Sequence, residues 1–379
     1  SAASDVYKRQ TFNAIIAGIV FGHESIASLR RDLLRNAELR QACGFDPLLG
    51  VEAVPTDDAF SRFLELLIEH EHLIVEMFHA LVEQLKVELP DLGAKLAVDS
   101  KAIPSHGKPV RDDEKRAEKD RRRDTDADWG IKTYKGQRDD GSKWEKVKKW
   151  FGYKLHLIVD SDYELPLAFE LTTASTGDPD HMMPLVDEIA DEHPQIIATA
   201  KEIAADKAYD TIEDITRPFD DYGIKPVIDI RALWKGEQTR PLFPDRVDSF
   251  IYDEKGSVSC VCPVTDETRP MRFWGFEKDR NCLKFRCPAA TFGFECKGRA
   301  ECEARASTTV GAFGRVIRIG LAYDRRIFTP IARQTPQWTE AYKKRSAVER
   351  VNSRVDQVLG FARHFIRGMA KMQTRVSLA

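Results

Sequence analysis

Two apolar runs in this chain end in a carboxylate. In LAVDSKAIPSHG, residues 96–107, the run closes on Asp99 before Pro104 and Gly107 break the chain; in EIAADKAYD the next such acid is Asp206. AVDSK and AADKAYD both follow the acid with a lysine within two residues. Aspartate is common at strand ends, where it satisfies turn backbone. Two strand-end acids in one sheet could instead converge on Mg²⁺, a hard cation that takes oxygen ligands. A third carboxylate lies in AYKKRSAVERVNSRVDQVLGF, whose pattern predicts one helix. Val348, Val351, Val355 and Val358 mark a buried stripe. Beside it run Tyr342, Arg345, Glu349, Asn352 and Asp356. An Arg345–Glu349 helix pair, worth roughly 0.2–0.5 kcal/mol, accounts for the two charges but not for their place beside an apolar stripe.

The elements around these residues read as follows. Residues 12–92 are helical. One helix lies in HESIASLRRDLLRNAELRQACG, and a long one runs from a cap at Thr56 or Asp57 to Pro90. His70, His72 and His79 lie on the long helix and suit a solvated face or an interface better than a metal site, since His70 and His72 do not share a face. Residues 95–103 form a strand. The block 108–128 is dense in charge of both signs and predicts an exposed helix or loop, with Arg121, Arg122 and Arg123 as DNA contacts to consider. YKLHLIVDS and LPLAFELTT are strands joined by a short turn, with His156 a core or surface residue. DHMMPLVDEIADEH is a helix, EIAADKAYD a strand, TIEDITRPFDDYG a helix broken at Pro218, and KPVIDI a strand. The order β-β-β-α-β-α-β implies one mixed sheet covered by helices.

Within 379 residues this gives a helical domain at 11–92, a core at 93–231 and 331–379, and a cysteine-rich insertion at 232–330. Residues 1–10 include DVYKRQ, which resembles the translated end of a sequencing-library adapter, and are left out of the fold. No apolar run of about 18 residues predicts a membrane span, and no secretory signal is readable, so a cytoplasmic location is the default. Net charge is −3, but residues 331–379 hold ten Lys/Arg against three Asp/Glu, which suits a polyanionic partner. Six of seven cysteines fall between Cys260 and Cys302. Cys262, Cys287, Cys296 and Cys302 could hold a structural Zn²⁺ in a segment too small for a core of its own; buried free thiols are the alternative. Aromatic and arginine residues interleave there, at Phe273, Trp274, Arg280, Phe285 and Arg286.

Tyr342-x2-Arg345-x3-Glu349 resembles the signature around the catalytic glutamate of bacterial insertion-sequence transposases of the DDE class. GYKLHLIVDSDYELPLAFELTTASTGDPDHMMPLVDEI is similar to the strands after that family's first aspartate, ADKAYD to its second-aspartate strand and DADWGIK to its upstream loop. LLRNAELRQACGF and VPTDDAFSRF resemble its N-terminal DNA-binding region. The resemblance spans nearly the whole chain in the family's order. It implies a ribonuclease H-like α/β fold and a catalytic triad of Asp99, Asp206 and Glu349 holding two Mg²⁺ ions. It further implies DNA contacts by Tyr342 and Arg345, cleavage at terminal inverted repeats, strand transfer into target DNA, and a homo-oligomer on DNA near the nucleoid. One position departs: the family usually has Lys or Arg seven residues after the glutamate, where this chain has Asp356. Arg354 or Lys343 would then have to supply that charge. The departure motivates a second reading, a catalytically inactive, transposase-derived DNA-binding protein.

Overall fold

The computed structural model describes residues 2–109, 123–138, 140–236, 238–244, 250–305 and 310–379. Helices α1 (Ala2–Val20), α2 (Ile26–Arg35), α3 (Ala37–Ala42), α4 (Asp57–Glu69) and α5 (Glu71–Glu88) come first. Then follow β1 (Lys95–Pro104), β2 (Asp128–Gln137), β3 (Lys143–Asp160), β4 (Pro166–Thr173), α6 (Met182–Glu192), α7 (Pro194–Thr199), β5 (Glu202–Ala205), α8 (Ile212–Tyr222) and β6 (Lys225–Ile228). The next segment holds β7 (Thr239–Pro241), β8 (Phe250–Asp253), β9 (Val258–Val261), β10 (Thr268–Pro270), β11 (Arg272–Glu277), β12 (Cys282–Arg286), α9 (Pro288–Phe292), α10 (Arg299–Ala304) and β13 (Val316–Gly320). Helices α11 (Pro336–Lys343), α12 (Ser346–Gln357) and α13 (Met369–Ser377) come last.

The main sheet has the order β2-β3-β1-β5-β6, with β4 also paired to β3. β1 and β3 are antiparallel, whereas β1–β5 and β5–β6 are parallel. Alternation along β1 and β3 sends residues to two different layers. Leu96, Val98 and Ile158 pack with Met182, Met183, Val186 and Ile189 of α6. Ala97, Leu157 and Val159 meet Ala347, Val348 and Val351 of α12. Each fully buried Val, Leu, Ile or Met among these contributes about 1.5–3 kcal/mol, so α12 is held on the sheet by the apolar stripe beside Glu349. Val358 lies past the end of α12 and is 52% exposed, so the stripe is shorter than its spacing predicts.

Several elements differ from the sequence reading. The long helix after Pro55 is two helices, because the backbone leaves helical geometry at His70 (φ −116°, ψ 33°). Thr56 does cap its start, accepting from the Ala59 N–H at 3.2 Å. Pro218 does not break α8: it is buried in the last turns, and the helix is closed by Thr211 at one end and left-handed Gly223 at the other. That the proline costs one backbone bond is offset by these two caps. DADWGIK, expected to be a loop, enters β2 from Asp128 onward. Most of the charged block, including Arg121 and Arg122, lies outside the described residues.

The segment between β6 and α11 forms two small sheets, β10-β9-β8-β7 and β11-β12-β13. They share a core of Leu242, Phe250, Leu283, Phe285, Ile317 and Phe328. Asp210, buried after β5, ties this segment to the main sheet through Arg326 at 2.6 Å. At the other side of the molecule α5 docks on the main sheet's helices through a relay. The buried His193 donates from Nδ1 to Glu83 at 2.6 Å, and its Nε2 lies 3.0 Å from His79 Nδ1. His79 thus serves an interface. Its imidazolium is disfavoured by burial and by the neighbouring His193. Replacing His193 by alanine removes both bonds and opens a cavity, and is expected to cost about 2–3 kcal/mol. Urea unfolding measures the loss, and amide exchange should quicken in α5 before it does in β1.

Candidate active site

Asp99 stands midway along β1, not at its end. β1 runs on to Pro104 against β3, with Pro104 opposite Gly152. On its other edge, β5 accompanies it only from Lys95 to Ala97. β5 stops at Ala205, and Asp206 caps the turn that follows, accepting from the Ala208 N–H at 2.7 Å. The edge of β1 is therefore open where Asp99 lies, and Asp206 comes at that opening. The Pro104 break seen in the sequence ends the strand, but the neighbour's end is what exposes the carboxylate. Asp229 follows β6 directly, and the register of Ala205 opposite Ile228 sets it beside Asp206. The sequence reading passed over Asp229, although KPVID closes on an acid just as EIAAD does.

Asp99 is only partly accessible, and burial pushes its carboxyl up to about 6. The charge of Lys132, the Ser100 N–H and the charge of Arg345 oppose the shift, while the neighbouring Asp206 adds to it. Tyr209 is buried on the same turn as Asp206, and its hydroxyl has no hydrogen-bond partner. Burial raises that phenol first, then the charges of Asp99, Asp178 and Asp206.

The predicted single helix carrying Tyr342 and Glu349 is divided. Tyr342 belongs to α11 and stacks on Trp338, with ring centroids 4.7 Å apart. Arg345 stands at the entry to α12, so Glu349 falls in that helix's first turn. The Arg345–Glu349 ion pair forms at 2.7 Å, with the Glu349 side chain 51% exposed. Arg345 Nε and Trp338 Nε1 are buried donors with no partner. The structure thus sets Asp99, Asp206 and Arg345 within one electrostatic neighbourhood and holds Glu349 on the arginine. Among the described residues, no three His, Cys, Asp or Glu are placed to share a metal ion.

Asp356 has a partner that the sequence did not point to. Lys101 lies two residues beyond Asp99 on the same face of β1, is only 8% exposed, and meets Asp356 at 2.5 Å. The residues considered as substitutes are engaged elsewhere: Arg354 pairs with Glu164, which also binds Arg350, and Lys343 pairs with Glu340 at 2.8 Å. His156 lies opposite Ser100, hence on the sheet face away from Asp99. It is fully buried, stacked on His181 and bonded to Thr172 at 3.0 Å.

The cysteine-rich segment contains only free thiols. Burial pushes the Cys260 thiol up to about 11, followed by the influence of Cys287, Cys302 and Cys296. The Cys262 thiol is lowered instead, by hydrogen bonds at Thr265 and Val264. Its sulfur would lie 2.6 Å from a Cβ at position 298, so Gly298 is what lets the Cys296–Cys302 loop approach it. Of the four cysteines expected as ligands, three neighbour Cys260.

The chain belongs to the transposase DDE domain family, whose model matches residues 92–379. The mixed sheet with flanking helices is consistent with the ribonuclease H-like fold of such a domain. No curated protein matches the chain, and no solved structure does. No helix among the described residues is long and apolar enough to cross a membrane.

The raised Asp99 carboxyl makes a stability prediction. Its folded pKa, about 6, lies above the ordinary value, so its contribution to stability is full below about pH 4 and is lost as pH rises through 6. Asp99→Asn should therefore stabilise the metal-free protein at pH 7.5 by roughly 2–3 kcal/mol, given about 1.36 kcal/mol per pKa unit. Thermal unfolding followed against pH should show that gain vanish near pH 4.

Proposed function

We propose that this chain is an insertion-sequence transposase that cleaves DNA at the ends of its own element and joins the freed 3′-hydroxyl to target DNA. The observation that carries the reading is the desolvated Asp99 carboxylate beside Asp206, at the one place where β1 outruns β5. Two acids held there create a demand for positive charge that Lys132 and Arg345 meet only in part. Hard carboxylate oxygens fit Mg²⁺. Asp99 and Asp206 would hold it, and Glu349 would join them once freed from Arg345. Divalent ions at such carboxylates supply Lewis-acid activation of the attacking and leaving oxygens of a phosphodiester.

The chain's own groups supply the rest. Arg345, with its unpartnered Nε, is a donor for a phosphate oxygen, which would take over from Glu349 as its counter-charge. Tyr342, fixed by Trp338, walls one side of the site. The excess of basic residues after position 331 draws the polyanion in. Terminal inverted repeats as substrate, a homo-oligomer on DNA and a bacterial cytoplasmic setting belong to the same proposal. So do the assignments of residues 11–92 as a DNA-binding domain and 232–330 as an insertion.

A second reading, a DNA-binding relative without cleavage, draws on the Glu349–Arg345 pair and the lack of a three-carboxylate cluster. Mg²⁺-dependent nicking of a labelled duplex bearing the element's ends separates the two. Under the first reading, Glu349→Gln lowers nicking by at least ~100-fold, as loss of an essential charged group in the reaction does, and leaves end binding intact. Under the second, wild type binds without nicking and the substitution changes nothing.

Zinc in the cysteine-rich segment is proposed for Cys262, Cys287, Cys296 and Cys302; no three of them are placed to share an ion in this structure, so binding would have to draw the thiolates together. Metal analysis of the purified protein should then give one zinc per chain, and a chelator should lower the unfolding temperature. Metal-free protein whose melting is indifferent to added zinc would leave these cysteines as buried thiols.

A further inference from the structure

Residues 143–151 of β3 pair only with β2 among the described strands. The ladder runs from Asp128 opposite Gly152 to Gln137 opposite Lys143, whereas β1 reaches only to Gly152 and β4 only to Tyr153. The two strands therefore continue as a ribbon some 30 Å past the sheet, at about 3.3 Å per residue. Alternation puts Lys132, Tyr134, Trp144, Lys146 and Lys148 on one face, and all five are exposed. No acidic side chain interrupts them.

Two tryptophans shape that face. Trp150 lies across Gly130 and Trp144 across Gly136; a Cβ at either glycine would fall 2.3 Å and 2.5 Å from the respective ring. Glycine is needed at both positions so that the indoles can lie flat on the opposite strand, leaving the lysines to stand above them. Lys132, the lysine of this face nearest the sheet, is close enough for its charge to act on Asp99.

We propose that this ribbon is a DNA-binding arm whose lysine face enters the major groove of the duplex held at Asp99 and Asp206. The inference rests on the DNA-cleavage reading above. A two-stranded β-ribbon matches a major groove about 12 Å wide. A face whose exposed side chains from Lys132 onward are cations and aromatics complements phosphate and base edges, and the reach of the Lys132 charge to Asp99 sets the base of the arm near the site. The opposite face carries Trp129, Ile131 and Val147, all exposed, so contact with a second copy of the chain is the competing use.

The test compares the full-length wild type with K132A/K146A/K148A, and with K146E as a single change at the exposed arm that spares the core. The probes are a fluorescent duplex of mixed sequence and the same duplex with glucosylated 5-hydroxymethylcytosine, which fills the major groove and leaves the phosphates. The triple variant should bind at least tenfold more weakly, and its slope of log K against log salt should fall by about 2 to 3, since each phosphate contact contributes about 0.9. K146E should weaken binding in the same direction. Wild type should bind the glucosylated duplex less tightly, and the triple variant should not distinguish the two. Equal slopes for wild type and variant overturn the arm. So does indifference of the wild type to glucosylation, which would leave the lysines on phosphates outside the groove. A change confined to the sedimentation of DNA-free protein would assign the ribbon to contact between copies. Failure of the wild type to bind either duplex would overturn both the arm and the cleavage reading, whereas wild-type binding that the variants share overturns the arm alone.

Discussion

Two carboxylates kept close in a partly desolvated crevice repel each other, and the sheet maintains them because β5 ends at Ala205 while β1 continues to Pro104. The mismatch in strand length is the constraint from which the rest of the site follows. Parallel pairing of β1 with β5 fixes Asp99 relative to Asp206. Parallel pairing of β5 with β6 adds Asp229 at the next strand end. Antiparallel pairing with β3 extends β1 past Asp99 and makes room for Lys101 on the same face.

Charge compensation then comes from α12 and from the ribbon. Burial of Ala347, Val348 and Val351 against Ala97, Leu157 and Val159 presses the start of α12 to the sheet and sets Arg345 where its field reaches Asp99. Further along the helix, Asp356 meets the buried Lys101. A buried lysine without a carboxylate would be costly, so in this chain an acid at position 356 is consistent with an intact fold. The positive charge that faces Asp356 stands on β1, two residues from Asp99.

Much of this was legible in the sequence, and the parts that were not share a physical cause. Apolar runs fixed by burial, such as Leu96–Val98 and Ile203–Ala205, marked both the strands and the acids beside them. The Tyr342, Arg345 and Glu349 spacing picked out residues that the structure keeps near one another, but it implied one helix because a break at Lys344–Arg345 leaves no proline or glycine to betray it. β2 escaped notice because an exposed ribbon has no buried face, so lysines and tryptophans alternate without a hydrophobic period. The Lys101–Asp356 pair joins residues 255 positions apart and rests on tertiary packing alone. Asp229 was within reach, since it closes an apolar strand as Asp206 does.

The measurement that bears most directly on the site is calorimetric titration of Mn²⁺, as a stand-in for Mg²⁺, into the DNA-free protein across pH 5 to 8. If Asp99 and Asp206 form a carboxylate pair that calls for a divalent cation, the wild type binds the ion and binding weakens as pH falls through about 6, where Asp99 takes up its proton. Asp99→Asn and Asp206→Asn should each abolish the heat. A wild type that binds no ion, or binds it identically in both variants, would contradict the account.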